Sequence, residues 1–253
     1  MTDRQLHPGD NLHVWHANLD RHCHTTSTLT DDETKRADRF HFERDRNRFI
    51  AARATLRNVL SRYVDANESD IRFECNQFGK PALADETSHD IRFNVTHSSH
   101  LMLIAITHGR DVGIDVERID DDRSDPEIAR RFFSPNEYTT LMNLPAEQQT
   151  EAFFDCWTRK EAFVKAHGLG LSMPLDQFDV SFGAGTAPAI LRSNFRGRDD
   201  TQDHQHWSMI AFVPEESFRA AVVIDATAPP AVEHFSYEPM PLPTTCRRRT
   251  RPR

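Results

Sequence analysis

A chain of 253 residues is long enough for one or two domains with a sizeable core, and its 28% charged and 9% aromatic residues are ordinary for a soluble globular protein. The formal net charge of -8 argues against a general nucleic-acid binder, whose affinity comes largely from phosphate neutralisation. No apolar run approaches the roughly 20 residues needed to span a bilayer, and the scattered cysteines (Cys23, Cys75, Cys156, Cys246), which form no CxxC pair, point to reduced thiols.

The start, MTDRQLHPGDN, is polar and lacks an apolar signal core, so a cytoplasmic protein that binds neither membrane nor nucleic acid is expected. A strand is predicted around Leu12–Trp15. The HCH at 22–24 lacks the paired spacing of a structural zinc site, and no HExxH is present. Helical periodicity runs from about Thr30 through Tyr63. An extended IRFEC and a turn FGKP follow, then three strands: IRFNVTH, LMLIAIT and VGIDVE. Helices are predicted around Pro126–Phe133, Pro135–Leu141 and Glu147–His167, and strands at FDVSF, WSMIAF and FRAAVVI. This mixture reads as α+β or mixed α/β. No repeat is visible by residue identity. From about Thr227 the composition turns to proline and arginine, ending with five arginines in seven residues, so 227–253 is predicted to be a disordered or loosely packed tail.

In VGIDVERI, Val112, Ile114 and Val116 alternate with Gly113, Asp115 and Glu117, and a strand sends alternate side chains to opposite faces. Asp115 and Glu117 therefore share one face, roughly 6.5–7 Å apart at Cα. Gly113 is expected to leave that face open. A hard divalent cation such as Mg²⁺ would relieve the repulsion between the two carboxylates. The alternative is an exposed face of alternating polarity, common in antiparallel sheets.

Two helices carry charges inside apolar stripes. At 100° per residue, Phe153, Phe154, Cys156, Trp157, Phe163 and Val164 form one stripe, Glu161 falls within it, Lys165 lies at its edge and Lys160 points inwards. A buried carboxylate needs a partner or a metal; for Lys160 the options are an ion pair or a phosphate contact. Likewise Arg53 lies within the stripe of Phe49, Ile50, Leu56, Val59, Leu60 and Tyr63, with Arg57 near it. Arginine forks suit phosphate or carboxylate, and a structural ion pair is an equal alternative. Neither G-x-x-x-x-G-K-[ST] nor G-x-G-x-x-G occurs, so a nucleotide would be held without either device.

The ordered set FGKPAL, FNVTHSS, VGIDVERI, RFFSPNEY and WTRKEAFVKAHGLGLSMPLDQFDV resembles a 4′-phosphopantetheinyl transferase of the surfactin-synthetase type, and FIAARATLRNVL also fits. The resemblance implies an α+β fold, a pseudo-twofold repeat of two similar halves at about 1–110 and 111–226 with the active site between them. It implies a monomer that transfers the 4′-phosphopantetheine group of coenzyme A to a serine of an apo acyl or peptidyl carrier protein. Mg²⁺ would assist and adenosine 3′,5′-bisphosphate would leave. Asp115, Glu117 and Glu161 would be the metal ligands, and Asp115, Glu161 and Lys165 the catalytic set, with Lys165 on the pyrophosphate. Lys80, Thr96 and His97 would bind coenzyme A phosphates, and Arg53 its nucleotide end. Lys35 or Arg36 would take the 3′-phosphate. Because carrier proteins are usually acidic and this chain is acidic too, docking is expected to use a local basic or apolar patch, for which Arg130, Arg131 and Phe132 are candidates. Two other readings stand beside this one. The first is another Mg²⁺-dependent phosphotransferase or hydrolase acting on a similar pyrophosphate; the second is a non-catalytic binding protein acting through the arginine-rich tail.

Overall fold

A computed structural model describes residues 11–21, 28–84, 90–193 and 203–238. The strand β1 (Leu12–Asn18) leads into α1 (Asp31–Ala37) and α2 (Glu43–Leu60), a ribbon of β2 (Phe73–Cys75) and β3 (Pro81–Leu83), then β4 (Ile91–Ser98) and β5 (Leu101–His108). The same order then recurs. β6 (Val112–Arg118) leads into α3 (Pro126–Phe132), α4 (Pro135–Met142) and α5 (Ala146–His167), a ribbon of β7 (Phe178–Val180) and β8 (Ile190–Ser193), then β9 (Trp207–Phe212) and β10 (Phe218–Asp225). The fold is thus α+β with a pseudo-twofold repeat that no residue identity betrays.

Each half builds one antiparallel sheet, and β11 (Val232–Ser236), from near the end of the chain, joins the first of them in parallel. Sheet I has the order β11-β1-β5-β4 and sheet II the order β6-β10-β9. Their inner faces pack together: Leu12, Val14, Leu103 and Ala105 of sheet I meet Ile114, Val116, Ala220 and Val222 of sheet II. The outer faces are covered by helices. Trp15, Ile104 and Ile106 pack with Leu56 and Val59 of α2, and Ala221 and Val223 pack with Ala162 and Phe163 of α5. LMLIAIT is apolar on both faces because β5 is central in sheet I and covered on both sides.

Local chemistry sets the helix ends. Thr30 and Glu33 form a capping box on α1, Ser134 and Glu137 one on α4, and Asp125 caps α3 ahead of Pro126. Gly168 ends α5 at φ 70, a left-handed position that costs glycine little.

Two expectations need correction. The helix predicted across 30–63 is two helices. Its first part folds back so that Glu33 of α1 receives Arg53 and Arg57 of α2, while Phe40 packs on Phe49 with centroids 5.4 Å apart. The predicted tail does not begin at 227 either. Val232–Ser236 forms β11, which pairs in parallel with β1, and Phe235 stacks on Trp15 at 4.8 Å. The adjacent Tyr237 is buried, and its N–H donates to the His16 carbonyl at 2.7 Å. The HCH at 22–24 and the terminal arginines lie outside the described residues. Of the cysteines, Cys75 is exposed and Cys156 buried, both as free thiols. Among the described residues no helix is long and apolar enough to cross a membrane.

Candidate active site

The site begins with a missing side chain. A Cβ on Gly113 would lie 2.1 Å from the Ala162 carbonyl oxygen and 2.2 Å from the Ala166 nitrogen. The glycine therefore does not leave an open face, as expected from sequence; it lets the backbone of α5 close onto β6. With Ala162 and Ala166 seated there, Glu161 and Lys165 of α5 come down beside Asp115, one step along the same face of β6.

Asp115 is buried. Its Oδ1 accepts hydrogen bonds from the Lys165 ammonium at 2.6 Å and the Thr96 hydroxyl at 3.1 Å. Its Oδ2 is buried with no hydrogen-bond partner, a costly state for a carboxylate oxygen unless something positive meets it. Glu117 accepts from the Ser98 hydroxyl at 2.8 Å. Glu161 is half-buried, and its pKa is pushed up to about 7, first by burial and then by the negative charge of Asp115, with Lys165 opposing and Glu117 adding. Three mutually repelling carboxylates and an orphaned oxygen suit a hard divalent cation with oxygen ligands. Among the described residues no group of three His, Cys, Asp or Glu side chains is already arranged to hold a metal ion. Binding one therefore requires side-chain rotation.

Several expected ligand contacts are taken up inside the protein. Thr96 faces sheet II, away from His97, and its hydroxyl oxygen accepts from Lys165 at 3.1 Å and from the Val116 N–H at 3.4 Å. Its hydroxyl therefore links Asp115 and Lys165. Lys165 is paired within the site and does not project from it. Lys80 donates to the carbonyls of Val112 at 3.0 Å and Ala166 at 2.9 Å, bracing the FGKP turn against β6 and α5; burial lowers its pKa to about 8. Lys160 makes an ion pair and no phosphate contact. It is fully buried, 2.7 Å from Glu137 Oε2 and 2.6 Å from the Phe178 carbonyl. The other Glu137 oxygen accepts from the Val180 N–H at 2.8 Å, so this pair ties α5, α4 and β7 together.

Two cavities meet at Val95 and Pro81. One, of about 660 Å³, is lined by Glu161, Lys165, Trp157, Lys80, Arg131 and Phe132. The other, of about 760 Å³, is lined by Arg36, Arg48, Arg53, His97, Phe49 and Phe73. Arg53 lies over the Phe73 ring at 4.6 Å and donates its Nε to Glu33 Oε1 at 2.6 Å. Arg57 is purely structural: it is buried and donates to Glu33 Oε2 at 3.0 Å and the Ile71 carbonyl at 2.6 Å. Crowding by protein, and then the Lys165 charge, lower the pKa of His97. Arg36 reaches the cavity wall, whereas exposed Lys35 pairs with Asp32 at 3.4 Å. Arg131 and Phe132 face the carboxylate cavity, and exposed Arg130 sits 3.8 Å from Glu127. Sequence reasoning missed Asn94 and Ser98, although the alternation of Asn94, Thr96 and Ser98 along one strand face was there to be seen.

A repeat of two helix-covered sheets, with acidic residues on the seam strand and a charged helix laid over them, defines a family. The chain belongs to the 4′-phosphopantetheinyl transferase superfamily, whose model matches residues 111–223, and the model of the N-terminal region of 4′-phosphopantetheinyl transferases matches residues 13–108. Similar proteins include the 4′-phosphopantetheinyl transferase HetI of Nostoc sp., 35% identical over 220 residues, 85% of this chain and 88% of that one. Another is Sfp of Bacillus subtilis, 36% identical over 157 residues, 61% of this chain and 66% of Sfp. A third is Gsp of Aneurinibacillus migulanus, 32% identical over 162 residues, 63% of this chain and 65% of that one.

Proposed function

We propose that the protein transfers the 4′-phosphopantetheine group of coenzyme A to a serine hydroxyl of an apo carrier protein, with Mg²⁺, as a monomer. The observation that carries the site assignment is the seating of Glu161 and Lys165 over Asp115 through the Gly113 contact.

Asp115 through its unpartnered Oδ2, Glu117 and Glu161 would hold the cation. A divalent cation bound there supplies charge neutralisation and polarises phosphoryl oxygens. The chain's own residues do the rest. Arg53, Arg36 and His97 receive the nucleotide phosphates in the larger cavity. Lys165 moves from Asp115 to the pyrophosphate and stabilises charge on the leaving side. Glu161, directly or through a water, would take the serine proton; its raised pKa belongs to the metal-free site, and coordination of a cation would lower it. The serine oxygen forms a bond to the phosphorus on the pantetheine side as the bridging P–O bond breaks. Its electron pair departs with adenosine 3′,5′-bisphosphate. Arg131 and Phe132, which line the carboxylate cavity, meet the carrier. The test is to incubate the protein with coenzyme A, Mg²⁺ and a panel of apo acyl and peptidyl carriers, then weigh each carrier. A gain of one phosphopantetheine on at least one carrier is expected. No gain on any, with free phosphopantetheine released, would make the protein a hydrolase.

A further inference from the structure

β4 and β6 are the facing edge strands of sheets I and II, and they share no backbone ladder. Unpaired edge groups are costly when buried. Here side chains take the ladder's place. Asn94 Oδ1 accepts from the Ile114 N–H at 2.9 Å, Thr96 Oγ1 from Val116 at 3.4 Å and Ser98 Oγ from Arg118 at 3.1 Å. Both strands advance two residues per rung, so the three rungs keep one register across the seam.

Two rungs also hold the acids. A hydroxyl has one donor and two acceptor positions. Thr96 uses its acceptors on Val116 and Lys165 and gives its proton to Asp115; Ser98 accepts from Arg118 and gives its proton to Glu117 at 2.8 Å. The Asn94 rung faces Gly113 and Ile114, where there is no acid to orient. The register of N-x-T-x-S against G-I-D-x-E thus converts the alignment of the two halves into the orientation of two carboxylates.

We propose that Ser98 is a positioning residue for the transfer reaction: anchored by the Arg118 N–H, its hydroxyl sets the Glu117 carboxylate for metal holding, as Thr96 sets Asp115. This rests on the proposed metal role of Asp115, Glu117 and Glu161. A bystander strut would matter only for stability, and the Asn94 rung supplies the control. Mn²⁺ binding by the full-length protein with coenzyme A, read from the free-ion electron paramagnetic resonance signal, separates the two roles, alongside melting temperature without metal. Ser98→Ala is expected to weaken Mn²⁺ binding roughly tenfold, the scale typical of residues that orient metal ligands. Ser98→Thr, which keeps the hydroxyl, restores binding. Asn94→Ala lowers the melting temperature but leaves Mn²⁺ affinity of the folded protein unchanged. Wild-type affinity in Ser98→Ala, with only a lower melting temperature, overturns the proposal. Failure of the wild type itself to bind Mn²⁺ with coenzyme A removes the metal reading beneath it, and is seen separately.

Discussion

The two halves share one frame and use it differently. In the ladder of sheet I, Trp15 stands opposite Ile104 and Ala17 opposite Met102; in sheet II, Asp115 stands opposite Ala221 and Glu117 opposite Arg219. By ladder position, then, an indole and a methyl occupy in the first half the places of the two carboxylates in the second. Trp15 fills the space beneath α2 and donates to the Tyr63 hydroxyl at 2.7 Å. Gly113, which holds the ladder place of His13, admits the backbone of α5 beside Asp115. Each helix carries a pair of charges four residues apart, Arg53 and Arg57 on α2, Glu161 and Lys165 on α5. Glu33 engages both arginines, and burial's tendency to raise its pKa is overcome by the Thr30 N–H and by Arg53 and Arg57, so it stays below the usual range. On the α5 face Asp115 engages the lysine, and burial and then the charge of Asp115 raise Glu161 to about 7. Reactive electrostatics arise in the half where the helix comes closest and the acids outnumber their partners.

The comparison can be broken at several points. The largest expected effect is on stability of the second half. Lys160→Met leaves Glu137 buried without a counter-charge and costs about 3–5 kcal/mol, read by urea unfolding; the folded fraction keeps its transfer rate per molecule, because neither residue touches substrate. Next comes Gly113→Ala. Its methyl would meet the Ala162 carbonyl at 2.1 Å, so α5 must shift. A loss of about 1–3 kcal/mol is expected, together with a fall in kcat, since Glu161 and Lys165 move with the helix. Normal kcat in this variant would show that the close approach does not build the site.

The arginine pair of the first half sharpens the contrast. Arg57→Gln loses about 2 kcal/mol through its charged hydrogen bonds, with little change in the Michaelis constant for coenzyme A. Arg53→Gln should raise that constant roughly tenfold with kcat nearly unchanged, one charged contact being worth about that factor. The smallest effect concerns β11, which adds to the first half alone. His16 Nε2 lies 2.8 Å from His234 Nδ1, and burial, then the His234 charge, lower its pKa from 6.5 to about 4. The unfolded chain therefore binds this proton first. Stability from His16 is present above pH 6.5 and is lost as pH falls towards 4. In His16→Asn the melting temperature should fall less between pH 7 and pH 4.5 than in the wild type.

Much of this was legible in the sequence because periodicity reports burial. VGIDVERI showed its two carboxylates on one face, and Glu161 stood out as an acid in an apolar stripe. Other features depend on partners remote in the chain. β11 looked like tail because its proline-rich flanks hide a strand whose partner lies some 220 residues away, as in Leu12 opposite Val232. The break between α1 and α2 follows from the Glu33 clamp, which helical periodicity does not register. Gly113 reads the same whether it faces solvent or a helix backbone. Lys160 could not be assigned without knowing that Glu137 of another helix waits beside it. Thr96 was a different matter: strand alternation alone forbids it from sharing a face with His97, and that signal was available.

The most direct test of the central claim, that chemistry resides where α5 closes on β6, sets Asp115→Ala beside the wild type. Both are incubated with coenzyme A, Mg²⁺ and an apo carrier that the wild type modifies, and the carrier is weighed, with the variant's melting curve recorded to establish that it is folded. A full phosphopantetheine gain is expected with the wild type and none with folded Asp115→Ala. An equal gain with the variant would contradict it.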